Sequence, residues 1–204
     1  LLKPVESFYN IKLKTEATGK LIPSKIILKC FDEKQENVPL NNIVFLQGDS
    51  GIGKTTLLRE IKVDILRNVK EKKFVGSKTF EIPLLIACRD LSYRTLSKFL
   101  RNEFSHVADV KKENDLIEIA LGKMKCLLLV DGLDEINDNS KALMEDVLNF
   151  LKSNADAKCI FTTRPHTLKI FQNQLDMEGL PYQTLKFEEI IKKKDQVQFL
   201  MTTC

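Results

Sequence analysis

No apolar stretch in this chain approaches the length needed to span a bilayer, so no membrane-spanning helix is expected within it. The five cysteines, Cys30, Cys88, Cys126, Cys159 and Cys204, form no C-x-x-C pair and stand near no histidine cluster. Three of them sit inside apolar, strand-like runs, the setting of buried free thiols in a reducing compartment, and a cytoplasmic location is expected. No large excess of one charge is present either: the net charge is +4, with Lys and Arg spread along the chain, so nothing calls for nucleic acid or an anionic membrane. The basic runs at 70–73 and 192–194 read as solvated helix faces. There is no internal repeat and no low-complexity tract. The 204 residues suit one α/β domain with a sizeable core. The chain opens on Leu1 and stops inside a helical pattern, which reads as a piece of a longer protein.

What is present begins with Gly48-Asp49-Ser50-Gly51-Ile52-Gly53-Lys54-Thr55, which satisfies G-x-x-x-x-G-K-[ST]. Ile43-Val44-Phe45-Leu46 precedes it as a short buried strand. Leu57, Leu58, Ile61, Ile65, Leu66 and Val69 follow at helical spacing. In that context the glycines let the backbone curl, so that several amide N–H groups point at phosphate oxygens. The helix start adds its positive dipole end. Gly48 to Thr56 form the expected cradle, Lys54 reaches the β- and γ-phosphates, and the Thr55 hydroxyl takes one position on Mg²⁺. The chain is expected to bind a nucleoside triphosphate.

Further apolar runs organise the rest. Tyr9, Ile11 and Leu13 alternate with polar residues as in a half-exposed strand. Ile26, Ile27, Cys30 and Phe31 fit a short helix, although Ile26–Leu28 also fits a strand. Residues 82–88 predict a second strand, with Pro83 tolerable at its start. Residues 126–130, 159–163 and 182–187 predict three more. Leu96, Phe99, Leu100 and Phe104 give one helical face, and Leu116, Ile117, Ile119 and Ala120 another. Leu143, Val147, Leu148 and Leu151 give an amphipathic helix with Ser140 as its N-cap. A last helix is expected over 188–201. Strands that alternate with helices and are apolar on both faces predict an α/β three-layer sandwich, with helices covering a mainly parallel five-stranded core sheet. Ligands in such sheets bind beyond the carboxyl ends of the strands.

Two segments then supply polar residues at that edge. Cys126-Leu127-Leu128-Leu129-Val130-Asp131 is a buried strand with Gly132-Leu133-Asp134-Glu135 at its exit. Asp131 is expected to hold Mg²⁺ directly or through water, since a hard cation takes oxygen ligands. Asp134 or Glu135 would orient or deprotonate the attacking water. Arg164 ends the strand of residues 159–163 and would face the γ-phosphate, where a guanidinium senses whether that group is present. Alternatively it forms a salt bridge to a neighbouring acid. His106 and His166 lie in polar surroundings and are given no chemical role.

These residues carry a family resemblance. Asp131-Gly132-x-Asp134-Glu135 resembles the Walker B motif of NACHT domains, in the STAND class of signalling P-loop ATPases. Ile82-Pro83-Leu84-Leu85-Ile86-Ala87-Cys88-Arg89-Asp90-Leu91 resembles the strand and "RDL" segment between the family's Walker motifs. Phe161-Thr162-Thr163-Arg164-Pro165 is similar to its sensor 1. The likeness is specific from Ile43 to Pro165 and divides the chain into a flank at 1–42, a core at 43–188 and the start of a truncated helical subdomain at 189–204. It implies a switch in an intracellular receptor of innate immunity or antiviral defence, holding ADP at rest and exchanging it for ATP. Self-oligomerisation then activates an effector domain attached, like the sensor domain, in cis, and slow hydrolysis resets the state. Adenine as the base rests on this resemblance and on the absence of an N-K-x-D guanine-reading motif. An AAA+ motor or a small-molecule kinase on the same fold is the alternative, though the arginine-rich lid usual in such kinases is not seen, and the L-S-G-G-Q signature that a transport ATPase needs is absent. A module that binds nucleotide without hydrolysing it is the other, against which the paired acids count.

Overall fold

The computed structural model describes residues 12–16, 19, 21–23, 27–28, 31, 42–70, 82–90, 96, 99, 125–135, 140–154 and 156–187. Within these, the apolar runs form strands: β3 (Ile43–Gln47), β4 (Ile82–Ala87), β5 (Cys126–Asp131), β6 (Lys158–Thr163) and β7 (Tyr182–Phe187). Two short strands precede them, β1 (Lys12–Thr15) and β2 (Leu21–Pro23). The seven form one sheet in the order β2-β1-β7-β3-β6-β5-β4. The five strands from β7 to β4 are mutually parallel, and β1 and β2 extend the β7 edge antiparallel. Leu13 and Thr15 of β1 point inward while Lys12 and Lys14 are exposed, as alternation requires.

Among the described residues three long helices cover the sheet. α1 (Lys54–Lys70) packs on one face with Leu57, Leu58, Ile61 and Ile65, against Val44, Leu46, Leu127, Leu129 and Ile160. Leu66, expected on that stripe, is 47% exposed because it lies a further 100° round the helix from Ile65. A 3₁₀ turn at Ile27 and Leu28 settles the ambiguous segment as helical there, and Ile27 and Phe31 complete this side of the core. α2 (Ser140–Ser153) and α3 (Pro165–Met177) cover the opposite face with Val147, Leu148, Leu151, Leu168, Phe171 and Leu175. Leu96 and Phe99, both helical, join them, and the Leu96 amide donates to Asp146 Oδ2 on α2 (2.9 Å). The cap contact expected of Ser140, and the helices expected over 116–120 and 188–201, lie outside the described residues.

The strands alternate between these two cores. On the α2–α3 side Phe45 stacks on Phe161 (centroids 5.3 Å apart) and meets Tyr182 edge-on (5.8 Å). Such aromatic pairs add about 0.5–1.5 kcal/mol each beyond their burial. Cys88, Cys126 and Cys159 are free and buried on this side. Burial pushes the Cys126 thiol up to about 12 and raises the other two still further, so all three are unreactive near neutrality. No helix among the described residues is long and apolar enough to cross a membrane.

Candidate functional site

β3 delivers the chain into a loop at the carboxyl edge of the sheet, and α1 starts within that loop at Lys54. Gly53 makes the transition with φ +100°, in the region that favours glycine. Its carbonyl accepts the Leu57 amide (2.9 Å) and so anchors the first turn. The earlier first-turn amides have no partner within the helix, which makes this end a natural anion seat. Lys54 Nζ donates to the carbonyls of Gly48 (2.6 Å) and Asp49 (2.8 Å), so the ammonium group spans the loop. Burial lowers the Lys54 pKa and the Arg164 guanidinium adds to the effect, while Asp134, Asp131 and Asp49 oppose it.

The second half of the site comes from β5 and β6. Val130 and Phe161 are partners in the parallel ladder, so Asp131 and Thr162 follow side by side. Both fall on the α1 face. The Thr162 hydroxyl donates to Asp131 Oδ1 (2.6 Å) and accepts the Gly132 amide (2.8 Å). Gly132 has φ +76°, and a Cβ there would stand 3.1 Å from both Cδ and Oε2 of Glu135. The missing side chain therefore lets the chain turn and lets the Glu135 carboxylate fold over it. A 3₁₀ turn at Leu133–Glu135 follows, held by the Glu135 amide on Gly132 O (2.8 Å) and by the buried Leu133.

The two halves face each other across a cleft of about 250 Å³. Ser50, Gly51, Gly53, Lys54, Thr55 and Thr56 line it from the loop and α1, and Asp131, Gly132, Asp134, Glu135 and Arg164 from the other side. Gly48, Asp49 and Ile52 lie outside this lining, with the Gly48 amide directed at Thr163 O (3.3 Å). Arg164 Nε pairs with Asp134 Oδ2 at 2.8 Å, the salt bridge that its sequence position left open. The Asp134 side chain is only 6% exposed and the Arg164 side chain 44%. Sequence reasoning missed Thr162. Its signals were a hydroxyl at the end of an apolar strand beside the acidic one and a place in the segment that resembles sensor 1, where only Arg164 was given a role.

A P-loop Mg²⁺ needs one protein hydroxyl, a carboxylate and the phosphates of the nucleotide, not a full cage of acids. Thr55 and Asp131 supply that donor set in one cleft, and among the described residues no three His, Cys, Asp or Glu side chains form a self-sufficient metal cluster. The donors fit a metal that arrives with phosphate.

The NACHT domain family matches residues 42–202. The chain belongs to the NACHT domain family. As a NACHT domain it is a nucleotide-binding domain of the P-loop NTPase class. It is similar to human "NACHT, LRR and PYD domains-containing protein 2", with 28% identity over 109 residues, 53% of this chain and 10% of that protein. It is also similar to the mouse "NACHT, LRR and PYD domains-containing protein 10", with 28% identity over 147 residues, 71% of this chain and 20% of that protein. The chain thus spans a fifth or less of the length of these curated relatives. A crystal structure of a DNA replication initiation factor superposes with a TM-score of 0.48 and 15% identity, over 81% of this chain and 45% of that one.

Proposed function

We propose that this NACHT domain is an adenine-nucleotide switch, binding ADP and ATP with Mg²⁺ and hydrolysing ATP slowly. The observation that carries this reading is the Arg164–Asp134 pair inside the cleft that Lys54 and Thr55 line from the opposite side. Arg164 is the cation at the end of β6 suited to a γ-phosphate, but its guanidinium already neutralises a buried carboxylate. A triphosphate competes for that guanidinium, whereas a diphosphate leaves the pair intact. The two nucleotides therefore select different arrangements of one residue pair, which is what a switch requires.

The roles divide accordingly. The loop amides and Lys54 hold the phosphates, with Thr56 beside them in the lining. Thr55 and Asp131 hold Mg²⁺, which neutralises phosphate charge when bound. Glu135 is exposed and orients the attacking water. Asp134, buried against Arg164, keeps that guanidinium in place. With the acid next to the reaction site engaged in an ion pair, turnover is slow. In an intracellular, cytoplasmic defence receptor the same switch would govern self-association and an effector domain in cis, and the resemblance to NACHT signalling proteins supports that extension.

The test is calorimetric titration of the intact protein with ATP, ADP and GTP plus Mg²⁺, then an overnight phosphate-release assay, on wild type and Arg164→Ala. Adenine nucleotides should bind, turn over within minutes or slower, and lose ATP affinity more than ADP affinity in the variant. Fast multiple turnover would point to a working ATPase, and equal losses for both nucleotides would remove Arg164 from sensing.

A further inference from the structure

We propose that Thr162 is a positioning residue for the metal-binding half of the cleft, and that its single hydroxyl fixes the Asp131 carboxylate and the turn at Gly132 together. This rests on reading the cleft as a Mg²⁺–nucleotide site. Thr162 is fully buried, and both of its hydrogen bonds are short. Their polarity is forced. An amide N–H can only donate and an ionised carboxylate can only accept, so the hydroxyl gives its one proton to Asp131 Oδ1 and takes the Gly132 proton on a lone pair.

Two consequences follow. One carboxylate oxygen of Asp131 is committed, which sets the side-chain rotamer and leaves the other oxygen for the metal or its water. The same hydroxyl ties down Gly132, whose carbonyl accepts the Glu135 amide and over whose Cα the Glu135 carboxylate folds. The metal carboxylate and the turn that carries both remaining acids are thus referenced to one atom of the neighbouring strand. Partners of this kind, which touch a ligand group and not the metal, typically change metal affinity about 10–100-fold when removed.

The test compares Thr162→Val, which keeps the shape and removes the hydroxyl, with Thr162→Ser, which keeps the hydroxyl. ADP affinity of the intact protein is measured by calorimetry with saturating Mg²⁺ and again with EDTA. Wild type should gain affinity from Mg²⁺. Thr162→Val should lose about 10–100-fold of the Mg²⁺-supported affinity and keep the metal-free affinity, and Thr162→Ser should restore it. In an Asp131→Asn background, Thr162→Val should have no further effect on Mg²⁺-supported binding. The proposal is overturned by a valine variant with wild-type Mg²⁺ dependence, by an equal loss in EDTA, or by a serine variant as defective as valine. Thr162→Ala, free of any overpacking, is read in the same way if the valine variant does not fold. Wild-type protein that binds no nucleotide at all overturns the functional reading itself, whereas normal wild-type binding with an unaffected valine variant overturns only the role of Thr162.

Discussion

Thr162 and Thr163 are consecutive on β6, both completely buried, and differently used. Thr162 turns to the α1 face and links Asp131 to Gly132 at 2.6 and 2.8 Å. Thr163 turns to the α2–α3 face, where its hydroxyl has one long bond, 3.3 Å to Arg164 O. Its ladder neighbour Gln47 has a buried side-chain oxygen without a hydrogen-bond partner among the described residues. The polar groups at the strand ends are thus closely tied on one face and loosely tied on the other. The difference shows where the fold needs exact geometry: on the α1 face it holds the groups proposed to bind Mg²⁺ and nucleotide, and on the other it closes a core of aromatic and thiol side chains.

The sharpest way to break the α1 face is Lys54→Ala. Without the ammonium group that bridges the Gly48 and Asp49 carbonyls, phosphate charge in the cleft is uncompensated, and calorimetry should detect no nucleotide binding while the thermal midpoint stays near wild type. The opposite face should respond in the opposite sense. Phe161→Ala removes the ring stacked on Phe45 and should cost about 3–5 kcal/mol in denaturant unfolding. Nucleotide affinity of the molecules that remain folded should change little.

Gly132→Ala sits between these extremes. A left-handed alanine costs about 1–2 kcal/mol, and its Cβ would press on the Glu135 carboxylate. A modest stability loss with a clear fall in phosphate release is expected. Unchanged release would mean that the placement of Glu135 over Gly132 has no bearing on turnover. The smallest effect belongs to Thr163→Val, which gives up one long hydrogen bond and should cost at most about 1 kcal/mol, with ATP and ADP affinities unaltered. A Thr163 variant that damaged Mg²⁺-dependent binding as Thr162→Val is expected to do would erase the contrast between the faces.

Much of this was legible along the chain. The predicted strands at 82–88, 126–130, 159–163 and 182–187 match β4 to β7 to within a residue or two, because a strand apolar on both faces leaves a continuous signal. The loop from Gly48 to Thr55 was legible because its demands are local: backbone curvature, a helix start and a lysine at fixed spacing. Thr162 was not, since a β-branched residue inside a strand is ordinary and its partner lies 31 residues away. The Arg164–Asp134 pair was foreseen only as one of two alternatives, because spacing does not say which acid a long side chain will meet.

Sequence alone therefore determined the elements and the chemistry available at their ends: a phosphate loop, a strand ending in acids and a strand ending in an arginine. Tertiary structure decided their arrangement. It placed β6 between β3 and β5, so the phosphate loop and the acids face each other across the strand that carries Thr162 and leads into Arg164. Periodicity cannot specify that order, because each of these central strands is apolar on both sides and would be buried equally well beside either neighbour. Only the packing of the helices and the hydrogen bonds between strand ends separates the alternatives.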